Sequence, residues 1–359
     1  MDPNLSDHDA DVARAALPPA EFYRSPAVHE RVVERAFARA WHWIDAEGLP
    51  PAGHARPFVL APGTLDEPLV LSASADGARV HCFSNACTHR GALVVRTSCK
   101  NASLRCTYHG RRFDEQGRFV AAPHFEGAAD FPAPADDLAP ARWNALGPLH
   151  FAAVAPRMDF DAWLGSLRTR LAALPLERAE LDRSRSRDYE FDAHWALYVD
   201  NFLEGLHVPY VHPTLNQAID FDTYRTELEP WGSVQIAKAS DPKDALELAN
   251  ERDVGGLYYW LFPCTMVNVY PWGLSLNVVQ PQGHARTRVL FRSYVWDRSR
   301  LDQGAGAGLD QVEQEDEAVV QLVQRGLRSR LYRRGRYAPQ REHGVHHFHQ
   351  LLARCLNER

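Results

Sequence analysis

Between residues 26 and 41 the apolar positions Val28, Val32, Val33, Ala36 and Phe37 recur at helical spacing, so a helix is expected behind the Pro18-Pro19 pair. From about 45 to 120 the period shortens. "PLVLSAS", "ARVHCFSN" and "GRFVAAP" are strand-like runs cut by Gly, Pro, Asp and Asn, the pattern of a small all-β module. "HFEGAADFPAPADDLAPARWN" (124–144) is rich in Pro, Ala and Asp and reads as an irregular connection. Past about 150 the chain mixes types: "FDAWLGSLRTRLAAL" is amphipathic and helical, whereas "LYYWLFPCTMVNVYP", "LSLNVVQP" and "RTRVLFRSYVWD" carry the β-branched and aromatic residues of sheet. From 309 onward the pattern is helical again. Three stretches result: 1–44, 45–150 and 151–359. There is no internal repeat, and "GAGAG" (304–308) lacks the Lys-Ser/Thr of a phosphate loop, so it reads as a loop ahead of a helix.

Composition narrows the function classes. A chain of 359 residues has room for two domains or for one core with a large insertion. Its net charge of -6 provides no basic field for nucleic acid. The acidic start "MDPNLSDHDADVARAA" has no apolar core of export-signal length, and no apolar run reaches the length of a membrane span, so a cytoplasmic protein without a membrane partner is expected. Six cysteines in a reducing compartment are not a disulfide framework. Cys82, Cys99, Cys264 and Cys355 stand alone and read as core residues or free thiols.

The other two cysteines do not stand alone. Cys87-x-His89 is followed, after sixteen residues, by Cys106-x-x-His109. A zinc finger pairs Cys with Cys and His with His. One thiol and one imidazole from each of two loops suits instead a [2Fe–2S] cluster with two thiolates on one iron and two imidazoles on the other. A structural zinc site or a chance grouping of core residues is the alternative.

A second group of candidate ligands lies downstream. In "WALYVDNFLEGLHVPYVHPTL" (195–215) a helix is expected through residue 207, ended by Pro209, with Asp200, Glu204 and His207 on one face and His212 in the following loop. Two histidines and one carboxylate make the facial triad of a non-haem ferrous site, which leaves positions open for O₂. In "LDQVEQEDEAVVQLVQRGLRSRL" (309–331) the apolar stripe is Val312, Val319, Val320, Val323 and Leu327. At about 100° per residue, Asp316 falls inside that stripe, and Glu313, Glu315 and Glu317 fall outside it. A buried acid must be paired or bound to metal, which singles out Asp316. "EHGVHHFH" (342–349) has His343 and His347 one turn apart, but nothing completes a metal site there, so packing or hydrogen bonding is expected.

With these residues in hand, the chain resembles the Rieske non-haem iron oxygenases, from its first helix to "HHFHQLL" near its end. Arg90-Gly91 and Gly110 fit the family's cluster loops, while Arg111 stands where the family often has Trp. "NFLEGLHVPYVH" resembles its Asn-x-x-acid-x-x-His-x₄-His motif, headed here by Asn201, and "EDEAVVQLVQRGL" resembles the stretch with its third iron ligand. The resemblance implies an α+β fold: an all-β Rieske domain (45–150) inserted in a helix-grip catalytic domain, an antiparallel sheet around a long C-terminal helix (151–359, with 1–44). It implies that Cys87, His89, Cys106 and His109 hold a [2Fe–2S] cluster, and that His207, His212 and Asp316 hold a mononuclear Fe(II). Glu204 then bridges electron flow from His109 of one subunit to His207 of its neighbour in a homotrimer. No nicotinamide or flavin fingerprint is present, so electrons from NAD(P)H must arrive through a separate reductase or a ferredoxin.

The expected reaction is oxygenation of a small organic substrate with O₂. Many ring dioxygenases have Asp at the bridging position. The subgroup acting on choline- and carnitine-like amines tends to carry Glu, as here, which favours monooxygenation or demethylation of a quaternary ammonium or N-methylated amine. Aromatic ring dioxygenation and a bare Rieske electron carrier are the alternatives. The aromatic-rich 255–276 stretch supplies a pocket wall on one alternating face. Phe202, Tyr259 and Trp272 are the pocket candidates.

Overall fold

The computed structural model describes residues 9–358 except 46, 247, 249 and 250; the first eight residues of the acidic start, and residue 359, lie outside them. The chain divides into two compact units, one running from Ala38 to Arg157, the other formed by the segment up to Phe37 together with Met158 onward. The inserted unit reaches several residues beyond 45–150 at both ends. The cause is local pairing: strand His42–Trp43 hydrogen-bonds to Leu149–Ala153 in the register His42↔Ala152, so both segments belong to the insertion's own sheet.

The inserted unit is all β. Its larger sheet has seven antiparallel strands in the order His42–Trp43, Leu149–Ala153, Pro140–Leu146, Val80–Ser84, Glu67–Ala73, His54–Leu60 and Cys99–Lys100. A three-stranded sheet, Leu104–Arg105, Arg112–Phe113 and Phe119–Ala121, carries the second Cys/His loop between its first two strands. Val70, Phe83, Val95, Leu104 and Phe113 form a core that takes in Cys87 and Cys106. Asn85 ties the first loop down with both ends of its amide: Nδ2 donates to the Val95 carbonyl and Oδ1 accepts from the Val95 N–H, each at 2.8 Å.

The second unit is built on a seven-stranded antiparallel sheet. Its order is Glu180–Phe191, Thr287–Val295, Gly273–Pro281, Thr265–Tyr270, Val254–Leu261, Gly232–Ala239 and Ile219–Glu229. The central strands Thr265–Tyr270 and Gly273–Pro281 are buried at every position, including their polar residues Asn268, Ser275, Asn277 and Gln280. Its longer helices are Pro26–Arg35, Trp195–Phe202, Leu309–Gly326 and His343–Asn357, and Phe348 of the last packs edge-on against Trp195 and Trp260. Among the described residues no helix is long and apolar enough to cross a membrane.

Two expectations are corrected here. The helix expected through residue 207 stops at Phe202, so Glu204 and His207 lie in a turn rather than on its face. The Glu204 carboxylate accounts for the turn, because it accepts the backbone N–H groups of Leu206 and His207. Pro209 begins the next short helix, Val208–Val211, instead of ending the first. On the Leu309–Gly326 helix the buried residues are Glu313, Val320 and Gln324, whereas Val323 is 44% exposed. Glu313, placed outside the apolar stripe by its angle on the helical wheel, is in fact the most enclosed acid of the segment.

Candidate active site

The two Cys/His loops repeat one backbone design. Cys87 and Cys106 each accept, through their carbonyls, the N–H of a glycine four residues on, Gly91 at 2.8 Å and Gly110 at 3.0 Å. Both glycines sit at left-handed φ, 71° and 76°, where a side chain is strained, and each loop closes when its cysteine N–H donates to the residue five on, Ala92 or Arg111. Both thiols are buried, and the two imidazoles lie with ring centroids 4.6 Å apart. His89 Nδ1 is enclosed yet has no hydrogen-bond partner among the described residues. An orphaned buried imidazole nitrogen beside two buried thiols fits a cluster ligand, because protein groups otherwise satisfy such atoms.

Arg111 is buried and points its guanidinium at three phenylalanine rings, Phe119, Phe125 and Phe131, at 5.0 to 5.3 Å. It also donates to Asp136 at 3.0 Å and to Thr88, the residue between Cys87 and His89, at 2.8 Å. The flat cation thus supplies packing and hydrogen bonds beside the first loop.

In the other unit, His207, His212 and Asp316 come together with one ligand-type atom from each inside 4.8 Å. His212 Nε2 is 2.9 Å and His207 Nε2 3.5 Å from the same Asp316 oxygen. The far nitrogens are also held: His207 Nδ1 lies 2.7 Å from Glu204, and His212 Nδ1 lies 2.7 Å from Glu315. A carboxylate only accepts, so each Nδ1 carries the hydrogen and each Nε2 turns its lone pair toward Asp316. Three electron-rich atoms at that spacing repel unless a cation lies among them or the imidazoles take protons. Burial alone would lower the His212 pKa, but the bonds to Asp316 and Glu315 outweigh it and raise it. The donor set, with a carboxylate behind each imidazole, fits a divalent metal. Asn201 Nδ2 donates to the same Asp316 oxygen at 2.5 Å and fixes its orientation.

These residues open onto a cavity of about 90 Å³. That is small-molecule space on a measure in which one water needs ~10–15 Å³. Six Phe and Tyr rings line it, those of Tyr198, Phe202, Tyr224, Tyr258, Tyr270 and Phe291, alongside aliphatic and amide side chains. Of the expected pocket residues only Phe202 is present. Tyr259 points to the other face of its strand and bonds Ser166 at 2.7 Å, while Trp272 stacks behind Tyr270 at 5.3 Å. Alternation puts Tyr258, not Tyr259, on the cavity side.

Sequence reading also passed over two acids. Glu315 is the partner of His212. Glu313, one turn before Asp316, lines the cavity and accepts the Tyr198 hydroxyl at 2.6 Å. Burial holds the Glu313 carboxyl well above the ordinary range; the Tyr198 bond opposes this, and Asp316, Glu317 and Asp310 reinforce it. The spacing 313–316–320–324 on a helix was the available signal for it. The histidine-rich end bonds within the protein: His349 to Asp200 at 3.0 Å and to Tyr337 at 2.7 Å, His346 and His347 to backbone carbonyls.

Comparison with known proteins identifies both modules. Residues 57–132 match the Rieske [2Fe-2S] domain, and residues 178–358 match the ring hydroxylating alpha subunit (catalytic domain). A chloroplastic choline monooxygenase of Arabidopsis thaliana is 28% identical over 94% of this chain and 82% of its own. The carnitine monooxygenase oxygenase subunit of Escherichia coli (strain K12) is 26% identical over 95% of this chain and 94% of its own. A quaternary ammonium Rieske monooxygenase solved with gamma-butyrobetaine shares the fold, with a TM-score of 0.74, 23% identity, and coverage of 98% and 99% of the two chains. A Rieske module and an iron-oxygenase module in one chain define a Rieske non-haem iron oxygenase. The chain belongs to the ring-hydroxylating alpha-subunit family.

Proposed function

We propose that this chain is the oxygenase component of a system that hydroxylates or N-demethylates a small N-methylated cationic amine, quaternary ammonium compounds included. Cys87, His89, Cys106 and His109 hold the [2Fe–2S] cluster, and His207, His212 and Asp316 hold the iron. When bound, the cluster carries single electrons and the iron offers open positions for dioxygen. The observation that carries the substrate class is the cavity, where six aromatic rings and the buried Glu313 carboxyl share the lining with the candidate iron ligands. Ring faces attract a cation, and a cation beside the enclosed Glu313 carboxyl would favour its ionised form and so gain a counter-charge. The choline and carnitine monooxygenases among the relatives support the same class.

The protein's own groups do the positioning. Glu204 and Glu315 hold the Nδ1 hydrogens of the two histidines, leaving both Nε2 atoms free for metal. Asn201 holds Asp316, and the apolar walls keep bulk water from the bound amine. A separate NAD(P)H-dependent reductase, directly or through a ferredoxin, supplies electrons. The working assembly is a homotrimer in which Glu204 bridges His207 of one subunit and His109 of the next. Single turnover tests the substrate class: reduced, iron-loaded protein is mixed with O₂ and quaternary amines, N-methylated amines and aromatic acids, and products are read by mass. Oxygen gain or methyl loss in the amines is expected. Oxygen appearing only in aromatic products would overturn the proposal.

A further inference from the structure

Glu313 is 2% exposed. One of its carboxylate oxygens, Oε2, accepts the Tyr198 hydroxyl; the other, Oε1, is enclosed and has no hydrogen-bond partner among the described residues. Two more polar atoms share this condition in the same cavity: the Tyr258 hydroxyl and the Asn268 carbonyl oxygen, cross-strand neighbours in the sheet. Enclosed acceptors without donors are rare in folded proteins, and a carboxylate at that depth is costly unless a positive group faces it. All three line the cavity that also holds His207, His212 and Asp316.

We propose that Glu313 Oε1 accepts an N–H hydrogen bond from the substrate's protonated nitrogen, so that the cavity prefers a secondary or tertiary ammonium to its fully methylated counterpart. This rests on the cationic-amine reading of the site and narrows it. A quaternary nitrogen has no hydrogen to donate. It satisfies the ring faces and the charge but leaves Oε1 dry, a loss of about tenfold to a hundredfold in affinity. Glu313 lies one helical turn before Asp316, so a nitrogen held at Oε1 is on the side of the cavity where the candidate iron ligands meet.

Three matched pairs test this by calorimetry on the anaerobic, iron-loaded holoprotein, each pair differing by one N-methyl group: N,N-dimethylethanolamine and choline, N,N-dimethylglycine and glycine betaine, 4-(dimethylamino)butyrate and gamma-butyrobetaine. In a pair that binds, the dimethyl member should bind at least about tenfold more tightly. Glu313→Gln should bring the ratio close to one, with cluster spectrum and iron content unchanged. In that variant the Tyr198 hydroxyl holds the amide oxygen, which turns the amide NH₂ toward the cavity, where it opposes an incoming N–H. Equal or tighter binding of the trimethyl member, or an unchanged ratio in Glu313→Gln, would overturn the assignment and leave the amine reading standing. If no member of any pair binds while aromatic acids do, both fall together.

Discussion

Replacing Glu315 with Gln isolates what a charge behind a candidate iron ligand contributes. Glu315 Oε2 accepts from His212 Nδ1 at 2.7 Å, and its Oε1 accepts from Gln311 Nε2 at 2.9 Å. Glutamine keeps the shape: its amide oxygen still accepts from His212, and its NH₂ faces Gln311, whose amide can turn to receive it. Only the charge is lost. A hydrogen bond to a charged group is worth about 1.5–3 kcal/mol and a neutral one about 0.5–1.5 kcal/mol, so the change costs about 1–1.5 kcal/mol. Glu315 is 26% exposed, and solvent screening keeps the loss at the lower end of that range. At about 1.4 kcal/mol per tenfold, ferrous affinity should fall roughly five- to tenfold, near the lower bound for such outer partners. Anaerobic competition against a chromophoric ferrous chelator measures this directly. The visible spectrum of the cluster serves as the internal control. Affinity within about twofold of wild type would refute the role given to Glu315, and loss of the cluster spectrum would show a folding defect instead.

Other expectations follow from the same geometry. Glu204→Gln should leave both metals bound but slow substrate- and O₂-dependent reoxidation of the reduced cluster at least about tenfold in stopped flow; an unchanged rate would remove Glu204 from the bridge. Arg111→Met breaks the buried pair with Asp136 and the contacts with three phenylalanine rings, so unfolding followed by cluster absorbance should lose about 3 kcal/mol, and an unshifted midpoint would contradict that account. His194 is held neutral, pushed down to about 3 by burial and by the charges of His29 and His284, and its Nδ1 caps the Trp195–Phe202 helix. The unfolded chain therefore binds a proton that the folded chain refuses, and stability falls by about 1.4 kcal/mol per pH unit as pH drops from about 6.5 toward 3. His194→Asn keeps a capping acceptor, so its denaturation profile should be flatter over that window; an identical slope would count against the assignment.

The two metal-type sites were legible in the sequence to different degrees. Cys87, His89, Cys106 and His109 are readable from spacing because each loop is short and self-contained, closed by its own backbone bonds. His207 and His212 are readable from a motif, but the turn that orients them is not. It depends on Glu204 accepting two backbone N–H groups, which helix periodicity does not register. Asp316 was found by placing it on an apolar face, and the same step discarded Glu313. The wheel was centred on apolar residues such as Val323, which is exposed, whereas the enclosed face runs through Glu313, Val320 and Gln324, two of them polar, so a carboxyl enclosed against Tyr198 fell outside it. Tyr259 and Trp272 were misplaced in the pocket for a related reason. Tyr258 and Tyr259 are adjacent and chemically alike, and only the strand's register, Tyr258 opposite Asn268 and Gln235, decides which one faces the cavity.

The central claim is that one chain holds two separate iron sites with separate ligand sets. Counting iron and acid-labile sulfide per chain in wild type and in Asp316→Ala, together with the visible and paramagnetic spectra of the cluster, tests it most directly. Wild type should carry about three irons and two sulfides. Asp316→Ala should carry about two of each with the cluster spectra unchanged. Loss of the cluster along with the third iron, or retention of all three irons in the variant, would contradict the account.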